Sequence, residues 1–177
     1  MSAVGSAASR WREAYLGKTR RFDVGLIDAL WSQRYAVAVD DLDPLYFDDQ
    51  YARTHGYAGL VVPPNYLATK RVAAMAGPTE GEMQGDGLPV PGPSNTPELA
   101  AMGGGQELVF HNPVYCGEFI RGEATVIRAD ERDGRAGPML IVEEEINYRA
   151  DTGELKLTLV QTTLYRVPPQ ASPNDDN

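Results

Sequence analysis

The chain has 177 residues, enough for one domain with a single sizeable core. Hydrophobic residues make up 42% and charged residues 23%, a globular balance that excludes a fully disordered chain. The net charge of −9 argues against a nucleic-acid partner, because phosphate binding needs a basic face, although a local Lys/Arg cluster could still hold an anionic ligand. A single cysteine, Cys116, excludes an internal disulfide, and with only two histidines it cannot complete a closed zinc site, so no metal is expected. No apolar run approaches the roughly 20 residues of a membrane span and no signal-like segment opens the chain. The expectation is a cytoplasmic protein with no membrane association.

Residues 1–8 are small and expected to fray. Ser9 can cap a short helix carrying Trp11, Ala14, Tyr15 and Leu16, with Gly17 placed to stop it. Lys18 to Val24 reads as an extended linker or short strand. From Leu26 to Val39 the residues Ile27, Leu30, Trp31, Tyr35 and Ala38 recur at helical spacing, one apolar face of an amphipathic helix. The acidic stretch Asp40 to Asp48 ends it. Pro44 disfavours helical geometry at Asp43, and Asp48 can cap a short helical turn running to Gly56.

Pro63 and Pro64 mark the entry to a longer helix through about Ala76, since a first turn tolerates proline. Its apolar and small residues lie on nearly all sides, so something should enclose it. Gly77-Pro78 closes it, and 77–105 reads as a long loop rich in Gly, Pro and Glu, either a mobile surface excursion or a lid or partner-binding loop. Gly103-Gly104-Gly105 does not make a phosphate cradle, because no strand precedes it and no helix or Lys follows.

From Gln106 onward the pattern changes to strands at Glu107–His111, Glu118–Asp130, Met139–Arg149 and Leu155–Val167, separated by turn signals. Leu140, Val142, Ile146 and Tyr148 alternate with Glu143, Glu145 and Asn147, as in an antiparallel sheet with one covered face. An enclosed helix followed by long antiparallel strands makes an α+β domain, whose edge and open face favour dimerisation. The expected organisation is an N-terminal extension with a short helix (1–17), one domain (18–168) and a disordered polar tail (169–177).

With these residues in view, the chain resembles the MaoC-like dehydratases and (R)-specific enoyl-CoA hydratases, in particular their N-terminal-type, non-catalytic half. The resemblance runs from about Lys18 to Pro168. It is carried by Arg34-Tyr35-Ala36, Asp41-Leu42-Asp43-Pro44-Leu45-Tyr46, and Tyr57-Ala58-Gly59-Leu60-Val61-Val62-Pro63-Pro64. A second match is Gly104 to Val114, followed by Gly117-Glu118. It implies a hot-dog fold, an antiparallel sheet wrapped around a long central helix.

The catalytic stretch of such enzymes reads G-D-x-N-P-x-H, where aspartate and histidine activate the water that adds across an α,β-unsaturated thioester. That chemistry needs a base near neutral pH, and N–H donors for the developing enolate oxygen. Here Asp41 and Pro44 match the pattern. Asp40 replaces the glycine, Asp43 the asparagine and Tyr46 the histidine. Tyrosine, with a reference pKa near 10, is a poor base at neutral pH. At the helix entry, where such enzymes tend to place His-Gly, Pro63-Pro64 has no N–H to offer. The resemblance therefore implies a subunit that accommodates the acyl group and pairs with a partner carrying the complete aspartate and histidine.

Asp41 and Tyr46 are the candidate catalytic positions in degenerate form; the simpler roles are a loop-fixing carboxylate and a packed aromatic. Asp43, Pro63, Pro64, Asn65 and His111 are candidate substrate contacts. Lys70, Arg71 and Arg53 are the nearest cations for coenzyme A phosphates, and surface solvation explains them equally. His55 reads as surface or loop packing and Cys116 as an incidental thiol. The expected substrate is a coenzyme A-type thioester, with no separate cofactor and a catalytic hot-dog subunit, or failing that a second copy, as partner. The alternatives are a self-sufficient homodimeric hydratase or thioesterase using Asp41 and Tyr46, and a non-enzymatic acyl-thioester-binding or scaffold protein.

Overall fold

A computed structural model describes residues 3–69, 99–134 and 137–166. Helix α1 (Ala3–Tyr15) leads into β1 (Thr19–Leu26), then α2 (Ala29–Ala38), a 3-10 turn (Pro44–Tyr46) and α3 (Asp49–Thr54). Residues 66–69 form a helical turn. Four long strands follow: β2 (Ala100–Phe110), β3 (Phe119–Gly134), β4 (Gly137–Ala150) and β5 (Leu155–Arg166). All pair antiparallel in one sheet of order β1-β3-β4-β5-β2.

The alternation expected in β4 is present. Leu140, Val142, Ile146 and Tyr148 are buried on one face, against Leu157, Leu159 and Tyr165 of β5. That face carries two apolar clusters. In the first, Tyr66, Leu67 and Ala68 of the 66–69 turn pack with Ile120, Ala124, Ile146, Tyr148, Leu157 and Leu159. This is the start of the helix the sheet wraps; the rest of the stretch expected to reach Ala76 lies outside the described residues. So do residues 77–98 of the expected loop and the 169–177 tail.

The second cluster corrects the reading of the N-terminus. Ala7, Ala8 and Trp11 of α1 are buried against Val126, Ala129, Leu140 and Val142. The helix thus starts at Ala3, and Ser9 is an exposed mid-helix residue rather than its cap. Burying a face of small residues against the sheet stabilises a helix that composition alone reads as frayed.

Two further expectations are corrected. Asp28 caps α2 by accepting from the Trp31 N–H at 3.1 Å. The helix turns its small residues Ser32 and Ala36 inward, while Leu30 and Trp31 face out, Trp31 at 58% exposure. Small residues let the helix approach closely, and Tyr35 meets Tyr66 edge-on at 5.5 Å. The loop expected to end at 105 gives way to β2 from Ala100. The strand pairing shifts between Gly103 and Gly105, and a Cβ on Gly104 would stand 2.9 Å from Thr162 Cγ2. The glycine run is a bulge in an edge strand, where a side chain on Gly104 would crowd the side chain and carbonyl of Thr162.

Candidate functional site

The end of α2 fixes Asp41. The Asp41 N–H donates to Ala36 O at 2.9 Å and the Asp40 N–H to Val37 O at 3.2 Å, the paired bonds of a Schellman cap. Such a cap needs a left-handed residue, and Asp40 supplies it with φ +58°. Asp40 occupies the position where the catalytic pattern has glycine, and aspartate tolerates this backbone better than most residues. Asp43 then caps the 3-10 turn, accepting from the Leu45 N–H at 2.9 Å, with Pro44 opening it. Gln33 Nε2 donates to Tyr46 O at 3.1 Å, which ties this turn to α2.

The outcome is one side-chain pair. The buried Tyr46 hydroxyl donates to Asp41 Oδ2 at 3.1 Å. Burial first, and then the bond to Asp41, push the tyrosine pKa up to about 12. At neutral pH it is a donor and not a base.

Beside this pair opens a cavity of about 440 Å³. Leu45, Tyr46 and Tyr57 line one side, Val61 to Pro64 and Leu67 a second, Phe110 to Val114 a third, and Lys156 with Leu157 complete it. The 61–64 wall hangs on its neighbours: the Val61 N–H donates to Leu45 O at 3.0 Å and the Val62 N–H to Val114 O at 2.9 Å. Pro63 and Pro64 follow with no N–H, and the Tyr66 N–H is bonded back to Pro63 O at 2.9 Å. A largely apolar cleft with a few polar groups at its edge suits an acyl chain.

Of the candidate residues, the structure brings Tyr46, Pro63, Pro64 and His111 to the cavity, and Asp41 reaches it through Tyr46. Asp43 and Asn65 are exposed and not among the lining residues, because Asp43 is engaged as a cap. His111 lines the cavity, but its Nε2 is 3.0 Å from Thr158 Oγ1, on the sheet face opposite Leu157 and Leu159. His55 ends α3, stacked on Tyr51 at 3.9 Å with Nδ1 2.8 Å from Tyr51 O, away from the lining residues. Arg53 is paired on its own helix with Asp49 at 2.7 Å. Lys70 and Arg71 lie outside the described residues. Burial raises the Cys116 thiol pKa, the reverse of an activated nucleophile. Lys156 was not among the sequence candidates. Its only signal is a lysine next to the turn Asp151-Thr152-Gly153, which looks like a solvated strand end.

An antiparallel sheet over a helix, with an apolar cavity at the helix entry, is the architecture of a hot-dog protein. Residues 31–158 match the family described as "FAS1-like, dehydratase domain region", and the chain belongs to that family. Comparison with curated proteins finds no match. Among solved structures, an (R)-hydratase from A. caviae involved in PHA biosynthesis is similar with TM-score 0.61 and 19% identity, over 86% of this chain and 96% of that one. The ChsH1–ChsH2 complex from Mycobacterium tuberculosis gives 0.66 and 21%, over 98% of each chain. The HadBC (3R)-hydroxyacyl-ACP dehydratase complex from the same organism gives 0.61 and 21%, over 85% and 97%.

Proposed function

We propose that the chain is the acyl-accommodating subunit of an (R)-specific enoyl-CoA hydratase or 3-hydroxyacyl thioester dehydratase, working with a partner hot-dog subunit that carries the catalytic aspartate and histidine. The observation that carries this is the Tyr46–Asp41 hydrogen bond beside an apolar cavity. Hydration requires a group that takes a proton from water as its oxygen adds to the β-carbon, and donors for the enolate oxygen. Tyr46 is held protonated with its proton directed at Asp41, and the double proline removes two N–H groups from the helix entry. The cavity keeps the features that bind a chain and lacks those that move a proton. Two of the similar structures are complexes of two named components, which supports pairing with a second hot-dog subunit.

The test is hydration of crotonyl-CoA by the purified chain alone and then with a candidate hot-dog subunit that has the intact G-D-x-N-P-x-H stretch. The expected result is turnover only in the mixture, and Asp41→Ala should leave it largely in place. Strong turnover by the chain alone, lost in Asp41→Ala, would overturn the division of labour and favour the self-sufficient enzyme.

A further inference from the structure

Lys156 is the extra residue of a bulge between β4 and β5. Tyr148 pairs with Leu157 and Arg149 with Leu155, so Lys156 stands opposite no residue. A bulge re-aims side chains, and here Lys156 and Leu157 are both buried, the lysine side chain at 1% exposure. Its ammonium has three donors, and each has an acceptor: Glu118 Oε1 at 2.8 Å, Glu154 Oε2 at 2.7 Å and Pro113 O at 2.9 Å. Burial by itself would lower the lysine pKa, but the bonds to the two carboxylates outweigh it and hold the pKa above the ordinary value.

The same residue grips the neighbouring turn through its main chain. Lys156 O accepts the His111 N–H at 2.9 Å and the Asn112 N–H at 3.4 Å, while Glu118 Oε2 accepts the Tyr115 N–H at 2.9 Å. Residues 111–118 are therefore held at both ends. That turn carries the segment before the double proline: the Val62 N–H donates to Val114 O, the Cys116 N–H donates to Leu60 O at 3.0 Å, and Val61 bridges Tyr115.

We infer that Lys156 is a positioning residue of the cavity: through Pro113 and Glu118 it sets the walls at 110–114 and 61–64, and so governs which acyl group fits, with no donor left over for that group. The effect on acyl fit rests on the proposed acyl-binding function; the placing of the walls does not. Lys156→Met keeps the length of the side chain and removes the ammonium, and Glu118 and Glu154, both partly exposed, can then turn to water. Val142→Ala, in the cluster under α1, serves as a control that lowers stability without touching these contacts.

The measurements are hydrogen exchange at the Val62 and Tyr115 amides and binding of octanoyl-CoA to the full chain. In Lys156→Met, protection at both amides and octanoyl-CoA affinity should each fall by about tenfold or more, and Val142→Ala should move neither. Unchanged protection in Lys156→Met, or equal losses in Val142→Ala, overturns the inference. Should Lys156→Met not fold, Glu118→Gln decides by the Val62 amide, since Glu118 itself accepts the Tyr115 N–H, and unchanged exchange at Val62 also overturns it. If the unaltered chain does not bind octanoyl-CoA, the acyl-binding function fails, while the exchange result still decides the role of Lys156 in placing the walls.

Discussion

The residues at which this chain departs from the G-D-x-N-P-x-H pattern act through ordinary local chemistry. Asp40 holds the left-handed position of the Schellman cap, so the turn survives without its glycine and Asp41 stays in place. Replacing histidine by Tyr46 converts a potential base into a donor aimed at that same carboxylate. This has a consequence at alkaline pH. A tyrosine that ionises near 10 when unfolded and at about 12 when folded adds stability that is complete below pH 10 and is lost as pH rises toward 12. Two pK units correspond to about 2–3 kcal/mol. Urea unfolding of the wild type and Tyr46→Phe should show a stability difference that is flat from neutral pH to about 9, then falls by roughly that amount by pH 12. A difference that does not change across this window would mean that the buried hydroxyl is not what holds the loop.

At the scale of the elements, the sequence was readable wherever one residue acts on its own neighbours. Asp48 caps α3 by accepting from the Tyr51 N–H at 2.9 Å, Pro44 keeps Asp43 out of helical geometry at ψ 129°, and the alternation in β4 gives its buried face. It fell short where a distant surface decides. The N-terminal half of α1 depends on the sheet beneath Ala7 and Ala8, the facing of α2 on Ser32 and Ala36, and the inward turn of Lys156 on a register shift two strands must share. Gly122 in β3 is another such case. No sequence signal marks it, but a Cβ there would overlap the Phe22 ring of β1. Phe22 lies across it and meets Tyr148 edge-on at 6.1 Å. Gly122→Ala should therefore displace the ring and cost about 1–3 kcal/mol. In a Phe22→Ala background most of that cost should vanish, and urea unfolding of the four proteins measures the coupling. Additive losses would show that the glycine matters for some reason other than the ring.

For the whole molecule, patterning alone gave a helix followed by a sheet, and the motif resemblance supplied the hot-dog architecture. Neither could show which surface is left for a partner. Strand order places β2 at an edge, bonded only to β5 among the described residues, with Met102, Val109 and Phe110 exposed along it. A long apolar edge is a template for another strand, and soluble proteins commonly protect such edges with lysine when nothing covers them. No lysine or arginine lies between Ala100 and Phe110. This edge is therefore the first place to test the two-subunit function proposed above. Met102→Lys with Val109→Lys changes the edge without altering a cavity-lining residue. If the chain or its mixture with a hot-dog partner associates through β2, light scattering should show the double variant at the mass of a single chain, with its circular dichroism unchanged. An assembly of undiminished mass would move the partner surface away from β2, and the outward apolar face of α2, with Leu30 and Trp31, would become the next place to substitute.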